Sequence, residues 1–154
     1  MSRLIFLLFF IPLISWSKDS TRSKESISNG TVEIKWHNYE VGHTLNFYRN
    51  NDLVESFEPY PSGSRYDFEN STYVGDKENP KTFLFSIWSH GVRTQSLVIF
   101  NLYNFKVLKK IHSEQEINIE KINKDTYQIN YIIKNEANQL EAKEELIQLS
   151  DLIK

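Results

Sequence analysis

The chain of 154 residues has no cysteine, no large excess of either charge and, beyond its N-terminal segment, no long apolar run. Without cysteine there can be no disulfide staples, so stability has to come from packing. A formal net charge of −2 disfavours general binding to nucleic acid or anionic lipid. A membrane span would need roughly twenty apolar residues. These absences predict a soluble protein with no membrane span and no nucleic-acid partner.

Motifs of common enzyme classes are missing too. The chain has no cysteine nucleophile, no glycine-rich phosphate loop and no His-x-x-x-His pair. A Ser/His/acid triad could use Ser62 or Ser64 with His90, but neither serine has the surroundings of a nucleophile elbow. We therefore expect a protein that is not an enzyme.

The nearest approach to a metal site is the set His37, Glu40 and His43. The two histidines lie near the ends of different strands, and Gly42 lies in the segment between them. A spaced pair of this kind is usually solvated surface. The sequence therefore predicts neither a metal nor a cofactor.

The first seventeen residues, MSRLIFLLFFIPLISWS, have the organisation of an export signal. Arg3 gives a positive start, residues 4–14 are apolar, and Ser15 and Ser17 place small residues where a signal peptidase cuts. An apolar run of about eleven residues is short for a membrane span. The sequence predicts a signal peptide over residues 1–17 and a periplasmic or secreted bacterial protein.

Strand periodicity begins at Thr31. Residues 18–30 are polar and lack periodicity, so we expect a flexible lead-in. From there Val32, Ile34 and Trp36 alternate with polar residues, as in a half-buried strand. Residues 31–154 are predicted to form a single β-rich domain.

The most apolar part of this domain covers residues 82–88 and 96–102. Phe, Ile, Val and Leu fall on both faces of these runs, which predicts central strands covered on both sides. The neighbouring strands are joined by connections of hairpin size. We expect a mainly β fold, an antiparallel meander or barrel-like sheet of about seven or eight strands.

Two structures are compatible with the C-terminal residues 140–154. Four apolar residues fall on one helical face: Ala142, Leu146, Leu149 and Ile153. This stripe favours a short C-terminal helix that packs on the sheet. The alternative is a strand over residues 145–149 that pairs with the preceding strand across a turn at residues 135–139.

Two polar loops flank the apolar strands, SGSRY at residues 62–66 and WSHG at residues 88–91. Loops on a rigid sheet are where binding residues concentrate. The two loops resemble the motifs of the periplasmic C-type lysozyme inhibitors, small β-barrels with a Ser-Gly-x-x-Tyr loop and a strand that ends in Trp-x-Lys-Gly. His90 stands in the place of the lysine. The resemblance covers roughly residues 31–100.

In that family the loop serine and the lysine approach the catalytic carboxylates of lysozyme and block its cleft. The resemblance therefore implies a non-enzymatic inhibitor of a lysozyme, or of a toxin enzyme delivered by another cell, in which case the protein is an immunity protein. It places Ser62, Tyr66 and His90 at the interface. Arg65, His90 and Arg93 would add a cationic cluster suited to an acidic cleft. The predicted partner-binding residues are Ser62, Ser64, Arg65, Tyr66, Ser89, His90 and Arg93.

A module of the cell envelope that binds a glycan or small molecule is the alternative function. It would use a concave aromatic surface built from Trp36, Tyr60, Tyr66 and Tyr73. A hydrolase with His90 as general base is a third hypothesis. That activity would need a deep pocket that holds His90 beside a carboxylate.

Overall fold

The computed structural model describes residues 20–37, 42–59 and 63–153. These ranges contain twelve β-strands in three antiparallel sheets, so the mainly β prediction is confirmed. The strand number exceeds the expected seven or eight. The predicted signal peptide at residues 1–17 lies outside the described residues.

The first sheet is a four-stranded meander in chain order. Its strands are β1 (Ser20–Ile27), β2 (Gly30–His37), β3 (Gly42–Arg49) and β4 (Asp52–Phe57). Asn50 and Asn51 connect the last two strands with φ values of 52° and 71°. Asparagine tolerates this left-handed backbone, which a two-residue hairpin turn requires.

The prediction of a flexible lead-in over residues 18–30 is wrong for the part that the structure describes. β1 pairs with β2 from Ser20, opposite Trp36, to Ile27, opposite Gly30. Because the ladder uses backbone groups, a strand at the edge of a sheet can form from polar residues. The absence of an apolar period therefore did not exclude a strand.

The second sheet lies in the middle of the fold. Its strands are β5 (Arg65–Tyr66), β6 (Thr72–Val74), β7 (Phe83–His90), β8 (Thr94–Asn101) and β9 (Lys106–Ser113). The last three form a meander, and the two short strands both pair with β7. Six of the eight residues of β7 and five of the eight residues of β8 are buried, which confirms the prediction of central strands covered on both faces.

The third sheet contains β10 (Asn118–Lys121), β11 (Thr126–Lys134) and β12 (Leu140–Gln148). The favoured C-terminal helix is wrong, because β12 pairs with β11 without a register shift. Ile147 is buried between exposed neighbours, so this segment buries alternate residues. A single 3₁₀ turn follows at Leu149–Asp151. In the described part of the chain, no helix is long and apolar enough to cross a membrane.

Two apolar clusters hold the three sheets together. One joins the first sheet to the second and includes Phe47 of β3 and Trp88 of β7. The other joins the second sheet to the third and includes Phe85 of β7 and Ile129 of β11. Successive side chains of β7 point to opposite faces, so this strand contributes to both clusters. The result is a stack of three sheets in place of one barrel-like sheet.

Candidate functional site

The described part of the SGSRY motif, residues 63–66, lies beside the WSHG motif at one end of the second sheet. β5 pairs with the end of β7, so that Arg65 is opposite Ser89 and Tyr66 is opposite Trp88. The tight turn at residues 91–93 then leads into β8. We call the surface formed by residues 63–65 and 89–93 the loop edge.

A chain of hydrogen bonds crosses beneath the loop edge. Ser64 Oγ lies 2.5 Å from His90 Nδ1, and His90 Nε2 lies 2.7 Å from Ser96 Oγ. The same Ser96 hydroxyl is 3.4 Å from Nδ1 of His112, on β9. A serine hydroxyl can donate or accept, so either neutral tautomer of His90 fits. The hydrogen bonds connect the SGSRY loop to three successive strands, β7, β8 and β9.

The imidazole of His90 is half-buried, and this position controls its charge. Burial, together with the nearby His112, lowers the pKa of His90 below its ordinary value. The two rings are 6.2 Å apart between centroids. His90 is therefore neutral near pH 7 and acts as a hydrogen-bonding tie.

No described carboxylate hydrogen-bonds to the ring of His90, whose hydrogen bonds go to Ser64 and Ser96. A Ser/His pair is thus present without the acid of a triad. Ser64 is also buried, with 2% of its surface exposed. The described geometry is that of a structural cross-link between two loops.

A second histidine, His43, holds the SGSRY loop from the first sheet. Its backbone N–H donates to the carbonyl of Ser64 at 2.9 Å, and its Nδ1 accepts from the N–H of Tyr66 at 3.0 Å. The His43 ring packs edge-on against Trp36 and Phe68. His43 therefore has a structural role in joining the first and second sheets.

The candidate metal ligands His37, Glu40 and His43 do not form a metal site among the described residues. No group of three or more His, Cys, Asp or Glu side chains that could hold an ion occurs there. Nδ1 of His43 is already an acceptor for a backbone N–H. Glu40 and the side chain of His37 lie outside the description.

Two predicted contact residues belong to the interior. Tyr66 is 6% exposed and packs edge-on against Trp88 at 5.4 Å between ring centroids. Burial raises the pKa of the Tyr66 phenol to about 12. Tyr66 packs beneath the loop edge and Ser64 is a buried member of it, so neither side chain is open to a partner, which corrects their predicted role. Ser62 lies outside the described residues.

The exposed part of the loop edge comprises Arg65, the half-buried Ser89 and the turn at residues 91–93. Gly91 has a φ of +84°, which glycine adopts without strain, and a Cβ there would meet nothing within 4 Å. Val92 is 98% exposed at the tip. A shallow depression of about 380 Å³ lies between the two motifs, lined by Gly63, Arg65, Ser89 and Gly91. Sequence reasoning missed Val92, because a single apolar residue in a turn carries no pattern.

The described aromatic residues of the alternative function, Trp36, Tyr66 and Tyr73, do not form one open surface. Tyr66 is buried. Tyr73 lies in β6 opposite Leu84 of β7, and the ammonium of Lys81 is 5.2 Å from the centroid of the Tyr73 ring. Trp36 lies near the loop edge, where two arginines contact it. Tyr60 lies outside the described residues.

Comparison with known protein families, characterised proteins and solved structures finds no match to this chain. The resemblance to the lysozyme inhibitors therefore depends on the two loop motifs.

Proposed function

We propose that this protein is an exported, non-enzymatic inhibitor that binds an enzyme attacking the cell envelope. The target is a lysozyme-like enzyme or a delivered toxin, which would make the protein an immunity protein. The predicted leader over residues 1–17 carries the chain to the periplasm or to the outside. The loop edge is the contact surface.

The observation that supports this proposal is the pairing of the two motifs. They are far apart in sequence, yet β5 and β7 place them next to each other, with Arg65 opposite Ser89. An accidental pair of short motifs has no reason to form one surface. Their proximity is what a two-loop contact with a cleft requires.

The loop edge is also held in place before any partner arrives. His90 ties Ser64 from one side, and His43 bonds to the backbone of Ser64 and Tyr66 from the other. A loop fixed in this way loses little conformational entropy on binding. It therefore suits an inhibitor that enters a cleft with little rearrangement.

The exposed chemistry of the loop edge fits an acidic cleft. Val92 provides an apolar tip, and Arg65 and Arg93 are exposed cations beside it. Neither arginine forms an ion pair with a described residue. Their guanidinium groups can donate two parallel hydrogen bonds to a carboxylate of the target.

The test is inhibition of a panel of purified envelope-degrading enzymes, including lysozymes of several classes, peptidoglycan amidases and phospholipases. We expect tight inhibition of at least one enzyme. The double variant Val92→Ser/Arg93→Gln should weaken it at least tenfold while leaving the fold intact, since both side chains are exposed. Arg49→Gln is the matched control, because Arg49 also lies over an aromatic ring, that of Phe105, and ends β3, whereas the contact of β3 with the loop edge is made by His43 near its start.

Two results would contradict the proposal. The first is a failure to inhibit any enzyme of the panel, which would remove the inhibitor function. The second is inhibition that the Val92→Ser/Arg93→Gln variant leaves unchanged, which would remove the loop edge as the contact surface.

A further inference from the structure

Two arginines share one tryptophan beside the loop edge. The guanidinium carbon of Arg22 lies 5.1 Å from the centroid of the Trp36 ring, and that of Arg65 lies 5.9 Å from it. Arg22 belongs to β1, Trp36 to β2 and Arg65 to β5, so the group spans the first and second sheets. We call these three residues the arginine clamp.

A β-bulge positions Arg22. In the ladder between β1 and β2, Thr21 pairs with Lys35 and Ser23 pairs with Ile34, so Arg22 is an extra residue without a partner position. A bulge of this kind changes the direction of a side chain, and bulges are frequent next to functional sites. Here the guanidinium is directed to the indole of Trp36.

The two arginines of the clamp have no counter-ion among the described residues, unlike five of the lysines. Several lysines lie within 4 Å of a carboxylate: Lys35, Lys81, Lys109, Lys134 and Lys143. Arg49, which also stacks on an aromatic ring, donates to the carbonyl of Tyr103 at 3.1 Å. Arg22 and Arg65 form no ion pair or side-chain hydrogen bond with any described residue.

This arrangement favours an anionic ligand. Each guanidinium has five N–H donors, and stacking on an aromatic ring occupies none of them in its plane. Two cations on one ring also repel each other, and an exposed cation–π contact contributes only about 0.5–1 kcal/mol. A carboxylate bound at the clamp would offset the repulsion between the two guanidinium groups and accept hydrogen bonds from their N–H groups.

The surroundings of the clamp indicate a protein as the source of the carboxylate. Trp36 is half-buried, and Phe68, which packs with it around the His43 ring, is 48% exposed. Contacts between arginine and aromatic residues are typical of hot spots, the few interface residues that contribute most of the binding free energy. The clamp is also continuous with the loop edge, because Arg65 belongs to both.

We propose that the arginine clamp binds side-chain carboxylates of an acidic protein segment. This inference rests on the proposed function, since the segment belongs to the enzyme that the loop edge contacts. It adds that the target carries acidic residues at the rim of its cleft. Such a contact steers association, so the rate of complex formation should fall as salt increases.

A labelled hexaglutamate peptide is the probe. The two tryptophans beyond the predicted leader, Trp36 in the clamp and the buried Trp88, make ¹⁹F NMR with 5-fluorotryptophan suitable. We expect saturable perturbation of the Trp36 signal and an unchanged Trp88 signal. Arg22→Gln and Arg65→Gln should each weaken binding at least tenfold, and Arg22→Lys should recover part of it. Arg49→Gln should bind like the parent, and hexaglutamine should not bind.

Undiminished peptide binding by Arg22→Gln and Arg65→Gln would overturn the inference. So would Arg22-dependent binding to phosphatidylglycerol vesicles without any response to hexaglutamate, which would assign the clamp to lipid.

The enzyme panel separates the two proposals. Clamp-dependent peptide binding with no enzyme inhibited supports the clamp and removes the inhibitor function. A second outcome would remove the clamp alone. In that outcome Val92→Ser/Arg93→Gln abolishes inhibition, whereas Arg22→Gln changes neither inhibition nor peptide binding.

Discussion

The hydroxyl of Ser64 is hydrogen-bonded to Nδ1 of His90, and this contact joins the two loop motifs into one surface. Ser64 belongs to the SGSRY loop, whereas His90 ends the strand of the WSHG motif. The other ring nitrogen of His90 reaches Ser96 on β8. His90 therefore fixes the SGSRY loop, of which only Arg65 and Tyr66 belong to a strand, to the second sheet.

Ser64→Ala should lower the free energy of unfolding by about 1–3 kcal/mol, because the substitution removes the partner of a partly buried ring nitrogen. Urea denaturation at pH 7 measures this change. Ser89→Ala is the matched control, since the half-buried Ser89 is on the same surface and its loss should cost no more than about 0.5 kcal/mol. Equal effects of the two substitutions would show that the Ser64–His90 contact does not stabilise the loop.

Tyr66→Ala should unfold or strongly destabilise the protein, by about 3–5 kcal/mol, because it leaves a cavity against Trp88. Tyr66→Phe keeps the ring and should cost far less. Thermal unfolding followed by near-UV circular dichroism distinguishes the two variants. A stable, well-folded Tyr66→Ala protein would contradict the burial of this side chain.

The sequence identified the centre of the fold because burial on both faces leaves a compositional signature. β7 and β8 carry large apolar residues at successive positions, such as Leu84 and Phe85, and these face different clusters. A half-buried strand alternates apolar and polar residues, so it does not produce that composition. The hairpin at Asn50 and Asn51 was equally visible, because few residues tolerate its backbone.

The edge strands could not be identified in the same way. β12 contains good helix formers, and only its pairing with β11, opposite each residue from Thr126 to Lys134, makes it a strand. Strand preference depends on such neighbours more than on the residues themselves. β1 is polar for the same reason, since an edge strand has less apolar surface to bury.

The candidate site was visible as motifs but its internal contacts were not. Ser64 and His90 are 26 residues apart, and their contact follows from the pairing of β5 with β7. Arg22 reaches Trp36 because of a bulge, which is a property of the ladder between two strands. Neither relationship has a local signature in the chain.

Acidification should destabilise the protein in two steps. The pKa of His90 is lowered by burial and by His112, so the folded state binds this proton less readily than the unfolded chain. The resulting stability is complete above the ordinary value of 6.5 and is lost as the pH falls below it. His90→Gln can keep hydrogen bonds to both serines and should remove this first step.

The second step arises at Glu33 in the first sheet. Burial alone would raise the pKa of Glu33, but hydrogen bonds from Tyr48 and Thr21, together with the charge of Lys35, outweigh it and lower the pKa. Its contribution is therefore complete above the ordinary value of 4.5 and is lost below it. Urea midpoints from pH 8 to pH 3, with Glu33→Gln as the variant, test this. A midpoint that stays constant across the range would contradict both assignments.

Ser86→Ala should destabilise the core although it removes a single oxygen atom. Ser86 Oγ accepts from the indole N–H of Trp88 at 2.9 Å and donates to the carbonyl of Val98 at 2.7 Å. Ser86 and Trp88 are fully buried, so the substitution leaves the indole donor without an acceptor, at a cost of about 1–3 kcal/mol. Trp88→Phe removes that donor, and a double-mutant cycle isolates the contact from the lost ring volume. We expect a favourable coupling of about 1 kcal/mol between the two side chains; additive effects would show that the hydrogen bond does not contribute to stability.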